Sequence, residues 1–188
     1  MHLDPPHIVN ALWIVLTTVW ILGALRASPA ARRQPFEQRL AYLFLLIFGS
    51  ALLWRRPLGP FSLRFVPQTP QSGWIGVAVA LSGIAFAIAA RLYLGRNWSG
   101  AVTVKKDHQL IRGGPYSVVR HPIYSGVLLG LLGTAIVVGE VRALLGVIVI
   151  AIGFRVKSLT EERYMEEEFG DEYRIYKRRV KALIPLVW

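Results

Sequence analysis

The chain has 188 residues, 54% of them hydrophobic, with a mean hydropathy of +0.44 and a formal net charge of +11. That apolar content excludes an ordinary soluble domain and indicates a single integral membrane domain over residues 1–188. The chain has no cysteine, which excludes disulfides, thiolate metal sites and a cysteine nucleophile.

The first apolar stretch, Ile8–Leu25, is uncharged and close to the roughly 20 residues that a spanning helix needs. Met1–Asn10 contains Asp4 and no Lys or Arg, unlike the basic start of a secretory signal, so the stretch reads as a permanent span. Arg26, Arg32, Arg33 and Arg39 follow it, and Leu40–Trp54 forms a second, shorter apolar run. A third begins at Gly73, is uncharged to Ala90 and is expected to run to residue 94. Gly76, Gly83 and Gly95, in or near this span, permit close helix packing, either within the chain or between chains.

The next stretch, Lys105–Arg120, is polar and is broken by Gly113-Gly114-Pro115, which predicts a loop. Two further apolar runs, Ile123–Gly139 and Ala143–Phe154, flank Glu140 and Arg142. One continuous helix from Ile123 to Phe154 would rise roughly 48 Å, well beyond a hydrocarbon core of about 30 Å. Gly139-Glu140-Val141-Arg142 is therefore predicted to be a polar tip between two antiparallel helices. After Phe154 the last span is expected to continue as a polar helix until Gly170 stops it.

The predicted fold is thus all-α, a polytopic membrane protein of about five transmembrane helices near 8–25, 40–54, 73–94, 123–139 and 143–157, with a cytoplasmic C-terminal helix. Positive charge follows the first, third and fifth spans, which places the N-terminus outside and the C-terminus in the cytoplasm. Arg55, Arg56 and Arg64 dissent, because they fall in the predicted outer loop. With so many basic residues beside spans, anionic lipid headgroups explain the net charge better than nucleic acid does.

Arg120-His121-Pro122-Ile123-Tyr124-Ser125-Gly126 places a guanidinium, an imidazole and a phenol where a loop enters an apolar helix. Together with His108-Gln109-Leu110-Ile111, Gly114-Pro115-Tyr116, Glu161-Glu162, Phe169-Gly170-Asp171-Glu172-Tyr173, Tyr176 and Pro185, it resembles the isoprenylcysteine carboxyl methyltransferase family and its bacterial relatives over about the C-terminal half. Phospholipid N-methyltransferases share the broader superfamily, as do, more distantly, membrane sterol reductases.

This resemblance implies an integral membrane enzyme that transfers a methyl group from S-adenosylmethionine to a lipophilic acceptor, an isoprenoid or other lipid carboxylate, at the cytoplasmic membrane face. It implies a multi-pass protein of the bacterial inner membrane, with membrane lipids and a lipophilic substrate as partners, no nucleic acid and no metal. The cofactor-binding part is expected over residues 97–188. Carried over position by position, the cofactor contacts fall on His108, Gln109, Leu110, Ile111, Tyr116, His121, Pro122, Ile123, Tyr124 and Glu161. A further contact is implied near Ala101. The catalytic positions fall on Lys157 and Arg120. Where the family carries an acceptor-binding Arg, one turn before the Glu, this chain has Lys157, and Lys does not reproduce bidentate carboxylate recognition.

The chemistry is compatible with these assignments. A carboxylate such as Glu161 accepts from a ribose hydroxyl or an ammonium, and His121 donates to a carboxylate. Tyr116 and Tyr124 stack on adenine or face a sulfonium. Methyl transfer is an in-line displacement at carbon, which requires alignment and exclusion of water rather than a covalent nucleophile.

Each residue also has a plainer reading. Arg120 is a headgroup anchor by itself, His121-Pro122 a helix start, and Tyr116, Trp98 and Tyr124 an interfacial belt. Glu161 and Glu162 read as solvated charges, Lys157 and Glu161 as an i,i+4 pair, and Lys177-Arg178-Arg179 as a lipid contact. Alternative functions are a phospholipid amine N-methyltransferase, an NADPH-dependent membrane reductase and a non-catalytic membrane adaptor.

Overall fold

The helices start where the sequence supplies a cap and a proline. In the computed structural model, which describes residues 4–25, 30–33, 35–54, 62–95, 103–105 and 110–184, helix α1 spans Pro5–Ala24, and the Asp4 carboxylate accepts from the His7 amide at 3.1 Å. Helix α2 spans Glu37–Trp54. Helix α3, Pro70–Leu94, opens with a reciprocal cap in which Thr69 and Ser72 each bond the other's amide at 3.2 Å. Helix α4, Pro122–Val138, starts on proline and ends at Gly139, whose φ of 72° closes the helix in the left-handed region. Glu140 then precedes helix α5, Val141–Arg179.

Three of these helices, α1, α3 and α5, are long and apolar enough to cross a membrane, and α2 from Arg39 and α4 are shorter apolar helices. The chain is built as an integral membrane protein. Each helix starts within three residues of a predicted apolar run, and α1 to α4 end within one residue of theirs, whereas α5 continues to Arg179. The all-α expectation omits one feature, an antiparallel ribbon of β1 (Ala30–Arg33) and β2 (Thr103–Lys105). Its strands pair across some seventy residues of sequence, a contact with no local signal.

Two helix pairs carry the packing. Between α3 and α4, a Cβ added to Gly76 would lie 2.8 Å from the Gly133 carbonyl, and one on Gly83 would lie 2.6 Å from the Gly126 carbonyl. Glycine is required because the backbones themselves are in contact. The packing left open for Gly76 and Gly83 is therefore made within the chain, whereas Gly95 has open space around it and a φ of 54°. Between α2 and α5, a Cβ on Gly49 would lie 2.8 Å from the Gly146 carbonyl, and Gly153 packs on Leu45 and Leu46. Leu53, Leu131, Ala135, Ala143 and Ile150 form the buried cluster where α2, α4 and α5 meet. Helix α1 joins them through the Trp13 indole, which donates to Thr134 Oγ1 at 2.9 Å.

The predicted polar tip is present, and it organises one end of the molecule. Arg142 donates to the Leu52 and Leu53 carbonyls at 2.8 and 2.9 Å and to Glu140 Oε2 at 2.6 Å. Arg64 donates to the Val138 carbonyl at 3.2 Å. These cations cap carbonyls at helix C-termini, where the helix dipole is negative.

The stop expected at Gly170 is instead a bend. Gly170 has φ 52° and ψ −124° inside α5, and a helix resumes beyond it to Arg179. Glycine adopts this conformation without a Cβ penalty, so the chain changes direction and the terminal helical turns fold back toward the start of α4.

Candidate functional site

The segment before α4 supplies one wall of the candidate site. A residue preceding proline is kept out of the helical region by the pyrrolidine ring, and His121 accordingly has φ −123° and ψ 61°. Its ring stands against α5 instead of continuing the α4 surface. On α5, adjacent Glu161 and Glu162 supply the opposite wall.

The two carboxylates divide their partners. Tyr124 donates its hydroxyl to Glu161 Oε1 at 2.6 Å, Lys157 Nζ lies 3.8 Å from the same oxygen, and His121 Nδ1 lies 3.5 Å from Oε2. On Glu162, Oε1 accepts from Arg120 Nη2 at 2.6 Å and Nε at 3.1 Å and faces His121 Nε2 at 3.1 Å, while Oε2 meets Lys177 Nζ at 3.0 Å. Glu162 is only 2% exposed. It is the centre of a buried ionic cluster and not a solvated charge on an emerging helix.

Burial opposes the charged form of His121, yet hydrogen bonds to Glu161 and Glu162 outweigh it and raise the imidazole above its ordinary pKa. Burial likewise works against the Glu162 carboxylate, but bonds from His121 and Arg120 pull its pKa down to about 2. The cluster thus holds both carboxylates ionised and favours an imidazolium between them.

Aromatic rings line the same site. His121 stacks on Tyr124 at 5.5 Å between centroids, and Tyr124 stacks on Phe154 at 4.7 Å. Lys157 Nζ lies 5.2 Å from the Tyr124 ring centre and 5.8 Å from that of Tyr42, a buried residue of α2. Tyr116, also buried, sits in the 3-10 turn Gly114–Ser117, and its carbonyl accepts from the Tyr176 hydroxyl at 2.6 Å.

The returning end of the chain straps this assembly together. The amides of Arg120 and His121 donate to the carbonyls of Lys181 and Ala182 at 2.8 and 3.0 Å. Arg120 Nη1 donates to the Lys177 carbonyl at 3.1 Å and also to that of Val180, and Ser125 Oγ donates to the Leu183 carbonyl at 2.5 Å. Arg120 therefore directs its donors inward, to Glu162 and to the strap, and not to headgroups.

Of the residues singled out by sequence, the fold brings Arg120, His121, Tyr124, Lys157 and Glu161 into one cluster. Pro122 is buried and Ile123 half-buried beside it, and Leu110 and Ile111 are half-buried in the segment leading toward Tyr116. His108 and Gln109 lie outside the described residues, as do Ala101 and Trp98. Sequence reasoning missed Tyr42, Phe154 and Lys177 as members of this site. Phe154, Lys157 and Glu161 recur at helical spacing, a signal that was legible. Tyr42 and Lys177 arrive only through helix pairing and the Gly170 bend.

Comparison with known proteins places this geometry in context. A family model described as phospholipid methyltransferase matches residues 72–172. The chain is similar to a protein-S-isoprenylcysteine O-methyltransferase of Schizosaccharomyces pombe, 38% identical over 130 residues that cover 68% of this chain and 54% of the relative. Protein-S-isoprenylcysteine O-methyltransferase B of Arabidopsis thaliana is 29% identical over 129 residues, covering 65% of this chain and 66% of that protein. The cobalt-zinc-cadmium resistance protein CzcN of Cupriavidus metallidurans is 32% identical over 129 residues, covering 66% and 57%. The chain spans between about half and two thirds of the length of these relatives.

Proposed function

The chain belongs to the phospholipid methyltransferase family, and from that premise we propose that it transfers a methyl group from S-adenosylmethionine to a lipophilic carboxylate at the cytoplasmic membrane face. The observation that carries this reading is the convergence of His121, Tyr124 and Lys157 on the half-buried carboxylate Glu161, within the family-matched segment. The relatives' names supply the acceptor chemistry, a prenylated cysteine carboxylate.

The residues present fit the donor. S-adenosylmethionine supplies a methyl group on a cationic sulfur, together with an ammonium, a carboxylate, a ribose and an adenine. Glu161 is the carboxylate for its ammonium or ribose hydroxyls, and the His121 imidazolium is the cation for its carboxylate. The Tyr116 and Tyr124 rings offer electron-rich faces to positive charge. His108 to Ile111, with Pro122 and Ile123, complete the proposed donor contacts. Arg120 acts as a positioning residue, holding Glu162 and through it the His121 ring.

Lys157 is the proposed acceptor group. Its ammonium binds a carboxylate as a point charge, aligning one oxygen for in-line attack without general-base help, since a carboxylate is already deprotonated. An amine acceptor would meet repulsion from the same ammonium, which favours the acid over a phospholipid amine.

Calorimetric titration of detergent-purified protein with S-adenosylmethionine and with its demethylated product tests the proposal. Binding is expected in the wild type and is expected to be lost in His121→Ala and Glu161→Gln, with transfer of radiolabelled methyl to an S-prenylcysteine acid. Wild-type binding of NADPH in place of the methyl donor, or unchanged affinity in both variants, would overturn it.

A further inference from the structure

We propose that Tyr42 is a specificity-determining residue of this site, holding the Lys157 ammonium between two tyrosine faces so that it meets an acidic acceptor as a single fixed charge. The inference rests on the reading of Lys157 just given, and it adds a residue from α2, outside the segment matched by the family model.

The placement follows from helix packing. Glycine contacts leave α2 and α5 no freedom to slide: Gly49 meets the Gly146 backbone, and one further step along the pair Gly153 meets Leu45 and Leu46. One helical turn beyond that contact, on the same pair of faces, stand Tyr42 on α2 and Lys157 on α5. Tyr42 is 3% exposed and the Lys157 side chain 12% exposed, with Nζ 5.8 Å from the Tyr42 ring centre and 5.2 Å from that of Tyr124. A cation over two aromatic faces with a carboxylate 3.8 Å away is held in place.

A flexible lysine would otherwise sample many positions and discriminate poorly between acceptors. Sandwiched, it presents one ammonium at one point, which suits a single carboxylate oxygen. Tyr42 therefore acts on acceptor recognition, whereas His121 and the segment before α4 carry donor contacts, and Tyr124 and Glu161 stand between the two.

The test uses full-length protein in detergent with 13C-methylated lysines. Lys157 is one of five lysines, and its signal is identified by its disappearance in Lys157→Arg. Ring currents from the two tyrosines are expected to displace this signal upfield of exposed lysines, with the displacement retained in Tyr42→Phe and reduced in Tyr42→Leu. With an N-acetylated S-farnesylcysteine as acceptor, Tyr42→Leu is expected to raise KM about five-fold, as for loss of one aromatic face. The affinity for S-adenosylmethionine should be unchanged. Should Tyr42→Leu yield little folded protein, Tyr42→Met removes the same face.

An unmoved lysine signal and an unchanged KM would overturn the inference. So would equal losses in Tyr42→Phe and Tyr42→Leu, or a parallel loss of donor affinity. If wild-type protein binds no S-adenosylmethionine, the methyl-transfer reading fails, and the lysine signal still decides whether Tyr42 holds Lys157.

Discussion

A neutral imidazole carries one N–H and can donate to only one partner. His121 faces a carboxylate on each side, Glu161 at 3.5 Å and Glu162 at 3.1 Å, so the arrangement is fully satisfied only by the imidazolium. This has a consequence for stability. The raised pKa means that the folded chain holds the proton more tightly than the unfolded chain, whose imidazole titrates near about 6.5. The resulting stabilisation is complete below that value and is lost as pH rises through the folded-state value. The melting temperature of wild type should therefore exceed that of His121→Gln most at about pH 6, with the gap narrowing as pH is raised. A gap that stays constant across the series would mean that folding leaves the His121 pKa unchanged, and one that widens with pH would mean that the folded protein holds the imidazole neutral. The Arg120-His121-Pro122-Ile123-Tyr124 run marked this place in the sequence because three polar side chains crowd the start of an apolar helix. Glu162 stood in the motif series but read as a solvated charge, and its partner Lys177 read as a lipid contact, since a charge on an emerging helix and a charge in a buried cluster look alike until the chain is folded.

The fifth helix shows how one residue changes an element's role. Had α5 ended at Gly170, Tyr173, Tyr176 and Lys177 would have no fixed relation to the site. Instead the left-handed glycine turns the chain, Tyr176 and Lys177 return to Tyr116, Arg120 and Glu162, and Tyr173 is buried against Tyr176. An alanine at position 170 meets no steric neighbour, since no atom lies within 4 Å of the added Cβ, but it must adopt a conformation disfavoured for any residue with a Cβ. Gly170→Ala is expected to cost about 1–3 kcal/mol in thermal unfolding in detergent and to weaken S-adenosylmethionine binding as the strap loosens. Full retention of both would show that the bend does not depend on glycine. The sequence marked Gly170 as a helix terminator. Whether a glycine ends a helix or redirects it depends on what lies beyond to be packed, and here that is the buried side of Tyr173 and Tyr176.

At the scale of the molecule, α3 pairs with α4 and α2 with α5, and α1 packs on α3 and α4. The candidate site lies at the start of α4, and the Arg64–Glu140–Arg142 tip lies at its other end. This gives a structural role to Arg64, one of the three arginines in the predicted outer loop that dissent from the positive-inside reading. Arg64 donates to the Val138 carbonyl at the end of α4 and to the Val66 carbonyl, while Arg55 and Arg56 lie outside the described residues. On the positive-inside expectation the C-terminal end faces the cytoplasm. A green fluorescent protein fused after Trp188 is expected to fluoresce in a bacterial host, and alkaline phosphatase fused there is expected to be inactive. The reverse pattern would place the site on the outer face.

Composition and hydropathy alone determined that this chain is a helical membrane protein, and they located its five apolar helices, because the length of an apolar run and the thickness of a bilayer are properties that need no folding to compare. The ordered motif series determined the family to which it belongs. Only the tertiary structure decided that Glu162 is buried, that Lys177 is its partner and that Tyr42 faces Lys157. These relations cross between helices or span a bend, and they are set by glycine-mediated backbone contacts and by the turn at Gly170, whose geometry is not a property of any local stretch of sequence.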